Sequence, residues 1–244
     1  MARLAELLGR SRRAVALTGA GVSVPSGIPD FRSPGTGLWE NVDPMEVAHI
    51  DVFEHDPERF WRYYRPRFQT LGDKQPNGAH AALAELEHRG LIEGVITQNI
   101  DRLHRAAGSR EVIEVHGSIE TSTCLACGTA FGLEAVESLF DERGVALCAE
   151  CGGAVKPDVV LFGELLPEAA IGRAAELADA AELILCVGSS LAVHPVAGLP
   201  QMTLEAGGQV AIVTKGETPY DDDAVVKLEG EVDAELAALL AAFG

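Results

Sequence analysis

The 244-residue chain has no apolar run approaching the roughly 20 residues that a membrane helix needs. Its opening stretch, MARLAELLGRSRRAVALTG, spreads charge throughout and has no uninterrupted apolar core, so no signal peptide is expected. Positive charge is scarce: 19 Lys and Arg stand against 37 Asp and Glu, a formal net charge of −18. Lysine is confined to Lys74, Lys156, Lys215 and Lys227. That balance argues against a protein whose main partner is nucleic acid or an anionic membrane. Internal repeats and low-complexity tracts are missing as well, which excludes a solenoid or a disordered tail. What remains, 47% hydrophobic and 23% charged, is the composition of an ordinary globular protein, large enough for one big domain or a domain with an insertion. The expected location is the cytoplasm, where its five cysteines would not form structural disulfides.

Several short apolar runs end abruptly in small or polar residues. Ala14-Val15-Ala16-Leu17 leads into GAGVSVPSGIPDFR (19–32), and Gly94-Val95-Ile96 leads into Thr97-Gln98-Asn99-Ile100-Asp101. Glu111 to Val115 delivers His116-Gly117, and LILCV (183–187) ends in Gly188-Ser189-Ser190. QVAIVT (209–214) repeats the pattern, and DVVLFGE (158–164) reads as a further strand. Amphipathic helical stretches separate these runs, at 2–10, 78–90, 167–181 and after Pro195 and Glu231. Strands alternating with helices imply a mostly parallel α/β sheet, and ligands collect beyond the carboxyl ends of such strands. Gly19 and Gly21 would let backbone amides close on an anion, although Val24 stands where a dinucleotide fingerprint has its third glycine. A histidine at a strand end, such as His116, suits proton transfer because its ordinary pKa lies near neutrality.

The remaining features are local. Cys124-x2-Cys127 and Cys148-x2-Cys151, separated by twenty residues, have the spacing of a four-thiolate zinc site. Four thiolates leave no open coordination position, so such a zinc is structural; an iron–sulfur cluster or redox-active pairs are the alternatives. Acidic neighbours (Glu134, Glu137, Asp141, Glu142, Glu150) oppose a zinc ribbon that grips nucleic acid. The fifth cysteine, Cys186, sits in an apolar run and reads as core. Residues 37–76 hold most of the aromatics, among them Trp39, Phe53, Phe60, Trp61 and Phe68, which suggests a small satellite core. Within that stretch an exposed Tyr64–Arg67 pair, at helical i, i+3 spacing, would suit a carboxylate, although Pro66 threatens the helix.

Taken together, GAGVS (19–23), GIPDFR (27–32), TQNIDRLH (97–104), HG (116–117), the four cysteines, FGE (162–164) and GSSLAVHP (188–195) resemble the sirtuin family of NAD-dependent protein-lysine deacylases. The blocks run in the family's order over nearly the whole chain. The resemblance implies a Rossmann-like NAD-binding domain from 1–30, 78–118 and 156–244. A cofactor loop and helical module (31–77) and a zinc module (119–155) would be inserted in it. By residue, it implies a cofactor site of Gly19, Ala20, Gly21, Ser23, Phe31, Arg32, Gln98, Asn99, Ile100, Asp101, Gly188, Ser189, Ser190, Thr214 and Val232. Ile100 and Asp101 would line the nicotinamide pocket, Asn99 would support the ribose and a water, and His116 would be the general base. Asn99 and Asp101 join His116 as the catalytic set. Val160, Phe162 and Gly163 would form a strand edge for the peptide of an acyl-lysine protein. Zinc at the four cysteines would be structural.

Two departures from the family pattern stand out. Thr214 occupies a place where an asparagine is common, which bears on NAD affinity. Tyr64 and Arg67 resemble the Tyr-x-x-Arg pair of sirtuins that remove succinyl and malonyl groups, so activity on acidic acyl chains is expected beside deacetylation. A mono-ADP-ribosyltransferase using the same NAD site is the alternative activity. A non-catalytic reader of NAD or acyl-lysine is disfavoured by the presence of Asn99, Asp101 and His116 together. Protein substrates and oligomeric state are not legible.

Overall fold

The computed structural model describes residues 1–31, 35, 37 and 42–244; Arg32 and Trp39 lie outside the described residues. Among the described residues nine strands form two sheets. In chain order they are β1 (Ala14–Thr18), β2 (Val95–Thr97), β3 (Val112–Glu114), β4 (Gly117–Cys124), β5 (Ala130–Gly132), β6 (Val155–Val159), β7 (Leu183–Val187), β8 (Gln209–Val213) and β9 (Ala224–Leu228). The larger sheet has six strands in the order β3-β2-β1-β7-β8-β9, all parallel.

Its two central strands are buried along their whole length, which explains why their sequences are continuously apolar instead of alternating. The period of two still sorts the side chains. Ala14, Ala16, Leu183, Leu185, Ala211 and Val213 face helices Ala2–Arg10, Gly78–His88 and Val232–Ala241 through Leu8, Leu83, Leu86 and Leu236. Val15, Leu17, Ile184, Cys186, Val210 and Ile212 face helices Glu168–Ala180 and Leu199–Glu205 through Leu177 and Leu199. Cys186 is thus a core residue, and burial pushes its thiol pKa up. Among the described residues no helix is long and apolar enough to cross a membrane.

The strand order reverses between β1 and β7, so a crevice opens at their carboxyl ends. There the two turns touch backbone to backbone. Gly19 N–H donates to Val187 O at 3.1 Å, and Gly21 N–H donates to Gly188 O at 2.8 Å. A Cβ on Gly21 would lie 2.7 Å from that same oxygen, so the glycines serve first to let these turns meet.

The smaller sheet is antiparallel, in the order β5-β4-β6. Here the structure differs from the expected strand at 158–164: β6 spans 155–159 and pairs with β4, not with the parallel sheet. As an edge strand it tolerates Pro157, which has no N–H to donate. Helix Pro57–Gly72 runs through the exposed Pro66 without ending. Its aromatics pack on the small sheet: Trp61 meets Phe140 edge-on at 5.0 Å, and Phe53, Phe60 and Phe68 share one core with Ile119, Val155 and Cys148. The satellite core expected of these rings is therefore common to the helical stretch and the cysteine-bearing stretch.

Gly188 has φ +59, and a Cβ there would lie 2.3 Å from Val22 N. Gly188→Ala should lower the melting temperature by roughly 5–10 °C, since strain and overpacking act together. A thermal scan showing no change would contradict this account of the turn.

Candidate active site

A cleft of about 1470 Å³ lies between the carboxyl ends of the parallel strands and the smaller unit. Every cofactor, catalytic and substrate residue expected from the sequence borders it, except Arg32, which is outside the described residues. Gly19, Ala20, Gly21 and Ser23 come from the turn after β1, and Gly188, Ser189 and Ser190 from the turn after β7. Thr214 follows β8, where its N–H donates to Leu228 O at 3.0 Å, and Val232 begins the last helix beside it. Phe31 is 38% exposed, an unusual state for a large ring, and stands at the cleft wall. Gln98 ties two of the strand ends together, its Nε2 donating to Ser189 Oγ at 2.9 Å.

His116 follows β3, and its Nδ1 lies 3.0 Å from Gln98 O. A carbonyl only accepts, so Nδ1 carries the hydrogen and Nε2 keeps a free lone pair. Burial lowers the His116 pKa below its ordinary 6.5, with the Gln98 carbonyl opposing weakly. The ring is thus a neutral base at neutral pH, at the wall of the cleft.

Asn99 and Asp101 are held by groups behind that wall. Asn99 Nδ2 donates to Gly19 O at 3.2 Å and Ser23 Oγ at 3.1 Å, which uses both amide hydrogens and leaves Oδ1 as an acceptor. Asp101 Oδ2 accepts from Ser23 Oγ at 2.6 Å, and its Oδ1 accepts from Leu103 N–H at 2.9 Å. Ser23 also meets His80 Nε2 at 3.3 Å. Because Asn77 N–H donates to His80 Nδ1, the His80 hydrogen is on Nε2 and points to Ser23. Thr18 Oγ1 donates to Thr97 Oγ1 and takes a hydrogen from His104 Nε2, both at 2.9 Å. Sequence reasoning missed His80, His104 and Thr18. His104 closes the TQNIDRLH block without an assigned role, and the Asn77-x-x-His80 spacing, a capping box at the start of helix Gly78–His88, pointed to a helix start.

The four cysteine sulfurs lie within 4.8 Å of one another, with Cys124–Cys151 at 3.5 Å and Cys127–Cys148 at 3.7 Å. Tetrahedral zinc with Zn–S near 2.3 Å needs sulfurs about 3.8 Å apart, so the set fits the ion. Gly128 and Gly152, at φ +76 and +72, donate back to Cys124 O and Cys148 O and turn the chain around the thiols. All four positions are taken by sulfur, which fits a structural role.

Tyr64 and Arg67 border the cleft, but not as an exposed pair. Tyr64 is half-buried, stacked on Phe60 at 4.6 Å and Phe68 at 5.3 Å, and burial raises its pKa. The Arg67 guanidinium lies 3.4 Å over the Tyr63 ring and also donates to Tyr63 O. Its Nε–H is buried without a partner. The expected strand edge at Val160, Phe162 and Gly163 is a short extended piece running into a turn. Val160 N–H donates to His116 O at 2.9 Å, and Phe162 N–H and C=O pair with Ala48 O and Ile50 N–H. Gly163, at φ +88, stands third in the four-residue turn closed by Glu164 N–H to Leu161 O at 3.1 Å.

The described geometry, a nucleotide-type crevice facing a four-cysteine unit, has close counterparts. The model of the Sir2 family matches residues 19–195, and the chain belongs to that family. It is 45% identical over 95% of its length to an "NAD-dependent protein deacetylase" of Thermotoga maritima, covering 94% of that protein. It is 47% identical to "NAD-dependent protein deacetylase 1" of Geobacillus kaustophilus, with 96% of each chain covered. Among solved structures, "Sir2-p53 peptide-NAD+" superposes at a TM-score of 0.92, with 43% identity over 99% of this chain and 98% of that one. A structure of "Sir2Tm bound to a propionylated peptide" superposes at 0.91, with 42% identity over 100% of this chain and 98% of that one.

The buried histidines link this site to acid stability. Burial lowers His104 to about 3 and His80 to about 4, the latter against an opposing pull from Asp101. Above about pH 6.5 both folded and unfolded chains hold these rings neutral. Below it the unfolded chain binds protons that the folded one refuses, so stability is lost until pH reaches the folded values. The unfolding free energy from urea titration should therefore fall between pH 7 and 5.5, by about 1 kcal/mol for each ring, and the midpoint with it. The fall should be smaller in His104→Gln, which offers Thr18 a donor that does not titrate. A midpoint insensitive to acid would refute the assignment.

Proposed function

We propose that this chain is an NAD-dependent protein-lysine deacetylase, with His116 as its general base and a structural zinc at Cys124, Cys127, Cys148 and Cys151. The observation that carries the assignment of the base is the Gln98 carbonyl on His116 Nδ1, which leaves Nε2 basic at the cleft wall. NAD, when bound, supplies a ribose whose bond to nicotinamide can be exchanged for a bond to the acyl oxygen. The turns at Gly19–Ser23 and Gly188–Ser190, with Phe31, Arg32 and Gln98, hold its phosphates and sugars. Thr214 and Val232 stand at the adenosine end, and Ile100 and Asp101 border the nicotinamide pocket. Asn99 offers Oδ1 to the ribose or to a water. His116 Nε2 takes the proton from a ribose hydroxyl, and the low-dielectric surroundings keep it unprotonated until that step. Val160, Phe162 and Gly163 flank the acyl-lysine peptide. The substrates are acyl-lysine proteins, met in the cytoplasm, where thiols are reduced enough to serve as zinc ligands.

A second reading extends the acyl range. Arg67 reaches the same cleft with an unpartnered Nε–H, so a succinyl or malonyl carboxylate would find a charged donor there once the guanidinium leaves Tyr63.

Incubation with NAD and acetyl-lysine peptide should release free peptide, nicotinamide and O-acetyl-ADP-ribose in equal amounts, read by mass. His116→Ala should lower kcat by about 10²–10⁴-fold. Undiminished turnover in a folded variant, or transfer of ADP-ribose to protein without deacetylation, would overturn the proposal. The acid limb of kcat/KM should lie below pH 6.5, because burial disfavours the imidazolium. For succinyl-peptide, Arg67→Met should cut turnover about tenfold while sparing acetyl-peptide. Negligible succinyl turnover in the wild type, or an equal loss on both peptides, would refute the second reading.

A further inference from the structure

Of the four lysines, Lys156 alone is buried, with 7% of its surface exposed. It sits on β6, and its ammonium donates to Val159 O at 2.8 Å and Pro157 O at 3.2 Å and forms an ion pair with Glu164 Oε2 at 2.9 Å. The buried charge is thus met by two carbonyls and one carboxylate. The same Glu164 oxygen accepts Leu161 N–H at 2.8 Å, and the Glu164 N–H closes the turn onto Leu161 O. A charged tie thus runs from the middle of β6, across the strand's end, to the far side of the turn at 161–164. Between its two feet are Val160, Phe162 and Gly163, which border the cleft.

The opposite side of the segment is secured independently, through Phe162 to Ala48 and Ile50. Val155 and Val159, on the other face of β6 from Lys156, fill the small unit's core. A buried lysine is not needed there for packing, and desolvating its charge is worthwhile only if the geometry it enforces matters.

We infer that Lys156 and Glu164 are positioning residues for the acyl-lysine peptide, setting the backbone of residues 160–163 against which the peptide lies. This rests on the deacetylase reading above. With the ammonium removed, Glu164 keeps only the Leu161 N–H, the tie to β6 is lost and the turn loosens, while the nucleotide crevice is untouched. The effect belongs to peptide binding and not to NAD.

The test uses the full, zinc-loaded chain and a fluorescent acetyl-lysine peptide. Lys156→Met should weaken peptide binding measured without NAD about tenfold, or about 1.4 kcal/mol. Peptide KM should rise in parallel, with kcat at saturation and KM for NAD within about twofold of wild type. Lys156→Arg should recover most of the affinity, and Glu164→Gln should fall in between. An unchanged peptide affinity in folded, zinc-replete Lys156→Met would overturn the inference. So would a rise in KM for NAD equal to that for peptide, which marks general damage. If Lys156→Met does not fold, Glu164→Gln decides by the same criteria. A wild-type protein that deacetylates nothing would instead overturn the functional reading, so the two failures are distinct.

Discussion

Two backbone turns pressed against each other at the reversal of the strand order are the constraint on which the rest of this molecule depends. The amide of Gly21 bonds to the carbonyl of Gly188, at a separation no side chain could share. Because those turns end β1 and β7, the contact fixes where the crevice begins and which amides and hydroxyls face it. It also brings Ser23 within reach of Asp101 and Asn99, which come from the end of β2. Glycine at these positions is thus explained before any ligand is considered.

Behind the crevice the polar groups answer one another in a fixed direction. Asn77 sets the His80 tautomer, His80 presents its hydrogen to Ser23, and Ser23 gives its own to Asp101. His116 is oriented separately, by the Gln98 carbonyl, and Gln98 is braced by Ser189. The His116 imidazole and the Asp101 carboxylate therefore rest on different supports. Such a division lets one be tuned without rearranging the other.

Much of this was legible in the sequence, for identifiable reasons. Apolar runs ending in Gly, Ser or Asn announce parallel strands with a polar crevice, and all the central strands were visible that way. The paired Cys-x2-Cys spacing needs no long-range knowledge because each pair closes its own turn. His116 could be singled out by its place at a strand end. What escaped was whatever depends on distant partners or on a rotamer. Residues 155–159 are extended and run into the turn at 161–164, and local pattern does not say which sheet an extended piece joins; β4 took it. His80 reads as an ordinary helix residue and His104 only as the end of the TQNIDRLH block, since Ser23 and Thr18 are 57 and 86 positions away. Tyr64 and Arg67 have the right spacing, yet the guanidinium settles on Tyr63, one residue earlier, because an aromatic face and a carbonyl are both within its reach.

The aromatic core shared by helix Pro57–Gly72 and the cysteine-bearing stretch has a mechanical meaning. Trp61 on Phe140, with Phe53 and Phe60 wedged beneath β4 and β6, welds two stretches far apart in the chain into a single block. A wall built that way cannot yield piecemeal. If the cleft widens to admit a large guest, the ring stack, the four-cysteine knot and the turn at 161–164 must swing as one piece, like one side of a jaw.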